Sequence, residues 1–515
     1  MLKVRTTKTA SGKTAVQVVY RHHQKTEIAK HIGTAINENE QKQLLQLANA
    51  FIATNNKIPP LLPEIFTEER QQKHVVSVED LDFTHTYHTF AHEFLSQFYD
   101  FNGFNVLNNN LLRDLAIMRI VQPSSKLRAA VLFNKYFSTT YTQNMLYKGL
   151  PKIRSLKEEA EKIAVSYAKK HLGFDFSLVF YDVTTLYFET FKEDTEDFKK
   201  PGFSKDNKPQ QPQVMIGLVV NQDGYPIAVA TFPGNTFEGH TMLPVIRKLQ
   251  KEHGIQTLTI VADAGMLSIE NIEAIEMAGL TYIVGARLGN IATEKLVKIS
   301  KGLNKTEGIY YRIAQPHGLL ICDYSQKRAN KDRSDRKKQL AKAQYQVDNP
   351  EKTKRRVRFV REATKATVEL NQELIEKDEL REGIKGYYTN LEYTESELIV
   401  QRYKDLWHVE KSFRIAKSDL EARPIFHHKK ESIETHMLIV FVSLCVAKSI
   451  ELKTGYSIQK VKDMIWDILD IVFEDTLTNK TYRRRMKTVG NPIIEIMKNL
   501  HVDNTVIDEK QVLKG

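Results

Sequence analysis

Apolar residues along this chain recur in two rhythms, and the change from one to the other marks the elements. From Thr394 to Leu420, Leu398, Ile399, Tyr403, Leu406, Trp407, Phe413 and Leu420 return at helical spacing, and Thr394 with Glu397 forms a capping box. The pattern predicts one long amphipathic helix. Tyr403, Glu410 and Lys417 stand seven residues apart on its inward stripe, which places a carboxylate on a face that otherwise reads as core. Such a carboxylate calls for a cation or a shared proton. Upstream, residues 178–188 read L-V-F-Y-D-V-T-T-L-Y-F, apolar on both faces, so a central strand is predicted with Asp182 inside it.

The remaining pattern supplies the frame. Alternation over 15–20, a short strand at 28–32 ending in Gly33, and a helix over 39–52 predict a small sheet with a helix, followed by a Pro-rich linker at 58–63. Residues 87–173 are helical in pattern. One helix, 106–121, stops at Gln122-Pro123 and another restarts at Ser124-Ser125. That pair is either a helix-turn-helix reader or a plain packing unit. A further amphipathic helix over 154–173 closes the segment. Strands 214–220 and 225–232 form a hairpin through Asn221-Gln222-Asp223-Gly224, and a helix over 243–253 leads to a strand ending at Asp263. A helix at 269–278 and a strand at 282–285 follow. Strands at 308–313 and 319–324 precede a basic helical run from 327 to 343. The longest apolar run, 437–447, is short of the ~20 residues of a membrane span and reads as a buried helix. Residues 458–473 read as one more amphipathic helix.

Charge adds a partner. The 515 residues carry a formal +12, concentrated in two places. Residues 3–30 hold seven Lys or Arg against one acid, and residues 327–361 hold fourteen against four. Segments of that kind suit a polyanion, nucleic acid foremost, with solvated faces as the bland alternative. Cys322 and Cys445 have no Cys or His neighbours at metal-ligand spacing, which fits a reducing compartment and argues against a thiolate metal site. The N-terminus, M-L-K-V-R-T-T-K, has no apolar signal core. No membrane partner is expected.

The candidate chemistry rests on three acids. Asp182 lies within a strand, Asp263 at a strand end where α/β sheets place ligand-binding groups, and Glu410 on the later helix. Alone, Asp182 could be a structural carboxylate and Asp263 a helix cap. Together they can converge on one sheet edge. Hard oxygen donors suit Mg²⁺, with Mn²⁺ as a substitute, and two such ions can activate an oxygen nucleophile and stabilise a departing oxygen of a phosphodiester. A glycoside hydrolase using Asp182 and Asp263 would have no use for the two basic segments.

Y-D-V-T-T-L-Y-F, V-A-D-A-G-M and the run from Tyr403 through Glu410 to Lys417 resemble the three catalytic blocks of the DDE transposases of bacterial insertion sequences, and P-G-N-T-F-E-G-H-T is similar to a loop of that family. The resemblance implies an α/β fold: an RNase H-like mixed-sheet catalytic core, interrupted between the second Asp and the Glu by a β-rich and basic insertion. A small N-terminal basic sheet domain and additional helical segments complete it. The implied segments are 1–60, a DNA-binding sheet with helix; 61–173, helical and binding DNA ends; 174–290, the first part of the core; 291–385, the insertion; 386–450, the last core strand and the Glu-bearing helix; and 451–515, helical. It also implies that Asp182, Asp263 and Glu410 bind two divalent ions, hydrolyse the element ends and join them to target DNA.

The partners so implied are double-stranded DNA, as terminal inverted repeats and as target, and a second copy of the chain in a synaptic dimer. The location is a bacterial cytoplasm, at the nucleoid. An RNase H-like nuclease that cuts without joining, and a non-catalytic DNA-binding derivative, are the alternatives. In the family signature an Arg stands three residues after the Tyr; here that position is Leu406, with Arg402 or Arg414 as a replacement. Tyr403 and Lys417 are expected beside DNA phosphates, and Trp407 matches a position that holds a flipped base in some relatives. Lys13 and Arg21 of the N-terminal sheet and Arg333, Arg336 and Lys337 of the insertion are the remaining expected DNA contacts. The basic knot at 482–487 either touches DNA or pairs protomers, and His427-His428 is expected in a solvated turn.

Overall fold

The chain forms two compact units, residues 1–77 and 78–515. Its structure, a computed structural model, describes residues 2–22, 25–55, 78–189, 198–204, 210–266, 268–349, 357–362, 368–425, 427, 429–486, 490–493 and 496. The linker expected at 58–63 lies outside the described residues.

In the first unit, β1 (Leu2–Lys8), β2 (Thr14–His22) and β3 (Lys25–Ala35) pair antiparallel in that order, and α1 (Glu38–Asn55) covers one face. Val16 and Val18, with Leu2, Val4 and Ile32, pack on Leu44, Ala48 and Phe51 of the helix. Gly33 permits this approach, since a Cβ there would lie 2.8 Å from Leu44. Because Leu2 and Val4 point inward, the pleat turns Lys3 and Arg5 to the helix-free face, where Arg5 pairs across from Gln17. Strand β1 goes beyond the strands expected from the pattern, because only two apolar residues alternate with its threonines and cations.

The second unit opens with β4 (Leu81–Tyr87) and five helices: α2 (Thr89–Phe101), α3 (Asn110–Val121), α4 (Lys126–Phe137), α5 (Gln143–Ser155) and α6 (Lys157–Leu172). The Ser125 side chain caps α4 by accepting from Arg128 N, as the break at Pro123 implied, whereas the helix expected over 106–121 begins only at Asn110, where the Asn109 side chain accepts from Leu112 N. Strand β5 (Leu178–Tyr187), the hairpin β6 (Gln213–Val220) and β7 (Pro226–Pro233), α7 (Met242–His253), β8 (Thr259–Ala262), α8 (Ile269–Met277) and β9 (Thr281–Gly285) then build the core. The insertion supplies α9 (Thr293–Leu303), β10 (Tyr310–Gln315), β11 (Gly318–Tyr324), α10 (Gln326–Asp348), the small pair β12 (Val360–Glu362) and β13 (Val368–Leu370), and α11 (Gln372–Leu380). Strand β14 (Ile384–Thr389) returns to the core.

These strands form one mixed sheet in the order β7, β6, β5, β8, β9, β14, β11, β10. Three antiparallel strands followed by two parallel to β5 is the RNase H-like arrangement. The insertion is therefore not laid beside the core as a body of its own. Its β10 and β11 continue the core sheet through β14, which runs antiparallel to β9.

After β14 come α12 (Ser396–Lys404), α13 (Trp407–Arg414), a π-helical turn (Ile415–Asp419), α14 (Lys430–Thr454), α15 (Ile458–Trp466), β15 (Leu469–Asp475) and β16 (Lys480–Met486). Helix α14 is long and apolar enough to cross a membrane, yet 94% of that window is buried inside the structure. It is the central core helix. Asn102, just after α2, donates to Ser449 (2.7 Å), and Ser443 donates to Ala116 O of α3 (3.1 Å). The buried Glu161 of α6 accepts from Lys157, from Lys248 of α7 and from Val229 N of β7, at 2.8, 2.8 and 3.1 Å. The helices of 89–172 thus share one hydrophobic core with the sheet rather than standing as a separate domain.

The tail also departs from expectation. The helix predicted over 458–473 stops at Trp466, and β15 pairs with both β16 and β4. Strand alternation splits the basic knot between two faces. Arg483 and Arg485 are bonded to Asp470, each at 2.8 Å, and Arg485 also to Glu93, so these two arginines hold the fold together. His427 is not in a solvated turn either: Lys126 Nζ lies 2.7 Å from its Nε2 and 3.0 Å from Nδ1 of the buried His436. His428 is outside the described residues.

Candidate active site

Strand pairing places the two aspartates side by side. In the parallel pair β5 and β8, Tyr181 is opposite Ala262, so the next row brings Asp182 beside Asp263. Thr184 and Leu186, which share Asp182's side of the pleat, face Phe413, Ala416 and Lys417 around a small apolar cavity. Asp182 therefore points to the side covered by α13. Asp263 follows β8 directly and is open to solvent, with its backbone carbonyl accepting from Met266 N.

The predicted single helix over 394–420 is broken, and the break decides where Glu410 points. The capping box is not formed, for Glu395 sits at the N-cap without a side-chain bond. After Tyr403 the chain tightens: Leu406 N bonds Tyr403 O, His408 N bonds Asp405 O, and Val409 N bonds Leu406 O, all three-residue steps. This rotates the next turn. Val409 becomes the buried residue and Glu410 emerges exposed, not on the core face. The π turn, with Leu420 N bonded to Ile415 O, shifts the phase again and leaves Lys417 half-buried.

Tyr403 ties the helix to the strands. Its hydroxyl donates to Asp263 Oδ1 at 3.1 Å, while the Lys385 ammonium lies 4.4 Å above its ring and the Tyr387 ring packs 4.9 Å away. Burial, then the Asp263 charge and hydrogen bond, then Glu410, hold the Tyr403 phenol well above its ordinary pKa, so at neutral pH it remains a donor. Burial and Arg328 pull Lys385 down, opposed by Asp323, Asp263 and Glu410. Asp263 and Glu410 thus act electrostatically on the same two neighbours. The P-G-N-T-F-E-G-H loop also reaches this region. A Cβ on Gly265 would lie 2.7 Å from Glu238 Oε2, and Tyr181 is raised by burial with the Asp182 and Glu238 charges adding to it.

Among the described residues no three His, Cys, Asp or Glu side chains are gathered around one point. The donor set itself fits a hard divalent cation: a carboxylate on β5, one directly after the adjacent β8, and a third, exposed, on α13.

A family model for the transposase DDE domain matches residues 173–446, a stretch that includes all three acids. The chain belongs to the DDE transposase family. It is accordingly a metal-dependent enzyme that cuts and joins DNA. Among solved structures it is similar to a piggyBac transposase synaptic complex with hairpin DNA, at 10% identity and a TM-score of 0.37, over 72% of this chain and 70% of that one. No curated protein matches it.

The other expected DNA contacts divide by their surroundings. Trp407 is 50% exposed and stacked on His408 at 4.0 Å, so it is not a core aromatic. Arg414, Lys337 and Lys13 are exposed. Leu406, at the signature's Arg position, is buried. Arg336 is buried and bonded to Glu382, which also accepts from Arg333 at 2.5 Å, so Arg336 fastens α10 to the turn before β14 instead of facing a polyanion. The Arg21 side chain lies outside the described residues. Sequence reasoning missed Lys385, although a lysine in the mostly buried strand I-K-G-Y-Y-T was a signal.

Proposed function

We propose that this transposase cuts DNA at the terminal inverted repeats of an insertion sequence and transfers the freed 3′-hydroxyls to target DNA, as a homodimer holding both ends. The observation that supports the site assignment is that Asp182 and Asp263 each follow the paired residues Tyr181 and Ala262 of adjacent parallel strands, with Tyr403, on the segment that carries Glu410, bonded to Asp263. Asp182, Asp263 and Glu410 would hold two Mg²⁺ ions, or Mn²⁺ in their place. When bound, such a pair supplies charge stabilisation to the attacking and departing oxygens. Tyr403 fixes the Asp263 carboxylate by its hydrogen bond. Trp407 presents an open indole for stacking against a base, and Arg414 and Lys417 follow on the same segment toward the phosphates. Lys3, Arg5 and Lys13 give the N-terminal sheet a basic surface for duplex DNA, with Arg21 in the same strand as Gln17. The protein acts at the nucleoid of a bacterial cytoplasm.

The test uses duplexes carrying the gene's own flanking repeats, incubated with Mg²⁺ and analysed for cleavage and strand transfer. Wild type is expected to cut at the repeat ends and join them to a second DNA, while Glu410→Gln binds the ends and does neither. Cutting without joining would replace the transfer step with simple nuclease action. Full activity in Glu410→Gln would remove Glu410 from the site.

A further inference from the structure

A cavity of about 560 Å³ opens beside Asp263 and Tyr403, between the β9–β14 edge of the sheet and α10. Its cations are of two kinds. Arg336 is tied to Glu382, and Arg358 and Arg381 are tied to Asp378. Arg287 and Lys385 have no side-chain ion pair or hydrogen bond among the described residues, and Arg328 reaches only Asp332, at 3.6 Å. Arg287 follows β9, Lys385 lies on β14 and Arg328 on the first turn of α10, so three separate elements place cations around one space, which Asp263, Asp332, Asp335 and Asp378 also line. Cations grouped this way favour an anion with oxygen acceptors, and guanidinium forks match phosphate. Tyr403 is the aromatic residue of the wall and its ring is covered by Lys385, so the space offers no open platform for a stacked base.

We propose that this cavity seats the sugar–phosphate backbone of the DNA strand adjoining the bond to be cut, with Arg287, Arg328 and Lys385 holding its phosphates. The inference rests on the assignment of Asp263 to the active site. It gives the insertion a defined role, in which α10 and β14 grip the strand on the side of Asp263 away from Asp182, so the scissile bond is presented across the carboxylates.

The test measures binding without chemistry. Anisotropy of a fluorescein-labelled duplex of the flanking repeat is followed in EDTA across a KCl series, for wild type, Arg287→Gln, Lys385→Gln and Lys385→Arg. Each Gln variant is expected to lower the slope of log affinity against log salt by about 0.9, equally for repeat and unrelated duplexes, and Lys385→Arg to restore it. A residue with a purely structural role would leave that slope alone. Arg287 is exposed, so Arg287→Gln carries the test even if Lys385→Gln folds poorly. Disulfide capture by Arg287→Cys of DNA with a thiol tether on single phosphates is expected at the phosphates flanking the cut. Unchanged slopes in both Gln variants, or capture only at distant phosphates, would overturn the seat while wild-type cleavage left the active site standing. Failure of wild type to bind or cut either duplex would remove the active-site assignment, and this inference with it.

Discussion

Gly285→Ala tests the contact between the helical segment and the aspartates. A Cβ at residue 285 would lie 2.4 Å from Tyr403 Oη and 3.1 Å from its Cζ. Gly285 is not among the positive-φ glycines, so alanine imposes no backbone strain in β9, and the collision is the whole perturbation. Overpacking of this kind costs about 1–3 kcal/mol, offset by the ~0.4–1 kcal/mol that alanine contributes by stiffening the unfolded chain. A net loss between roughly 0 and 2.6 kcal/mol follows from these two terms.

In a Tyr403→Phe background the 2.4 Å contact no longer exists and only the 3.1 Å one to Cζ remains, so the same Gly285→Ala change should cost less than it does in wild type. The double-mutant cycle, measured by urea unfolding, should therefore show a coupling of about 1–2 kcal/mol. Because displacing the phenol also frees Asp263, Gly285→Ala and Tyr403→Phe should each slow cleavage, and the pair should be no slower than the worse single variant. Simple additivity in the unfolding cycle would refute the reasoning, because the cost would then arise somewhere other than at the hydroxyl.

Other expectations follow from the same contacts. Arg336→Gln should destabilise by roughly 1.5–3 kcal/mol, the worth of a hydrogen bond to a charged group, whereas Lys337→Gln one residue on should stay within ~0.5 kcal/mol; a drop in DNA affinity for Arg336→Gln with stability intact would return it to the DNA interface. Burial foremost, with Lys126, Arg119 and His427 adding, holds His436 well below its ordinary pKa. The unfolded chain therefore binds a proton that the folded one refuses, and stability should fall as pH drops below about 6.5. His436→Gln should flatten that decline in unfolding midpoints between neutral and mildly acidic pH, and an unchanged profile would deny the histidine this role. Trp407→Ala should leave unfolding nearly unaltered but weaken DNA-end binding by about 1–3 kcal/mol, the usual worth of a base stacked on an aromatic ring. Equal loss of stability and binding would place the indole in the fold instead.

Much of the site was legible because its signals are local. Asp182 stands in a strand whose two apolar faces announce burial on both sides, and Asp263 at the end of T-I-V-A, so the elements that carry both are legible in the sequence. The hairpin at Gly224 and the cap at Ser125 belong to the same kind of short-range chemistry. The sequence pattern puts Glu410 on the core face, and the structure leaves it exposed. A period of seven assumes an unbroken helix, and one tight turn at 405–409 is enough to exchange a buried for an exposed residue.

By itself, then, the sequence determined the alternation of elements, the family motifs around Asp182, Asp263 and Glu410 and the concentration of positive charge, all properties of neighbouring residues. Tertiary structure decided which charges are available. Arg336 and Lys337 are adjacent on a basic helix, and nothing nearby separates them; Glu382, 46 residues after Arg336, claims one and leaves the other. Lys385 acquires its place over Tyr403 only because β14 pairs beside β9, and the insertion joins the core because β11 can extend that same edge. Backbone periodicity is read within a turn or a strand. The partner of a buried charge is chosen by chain packing, from segments hundreds of residues apart, as with Lys126 and His436.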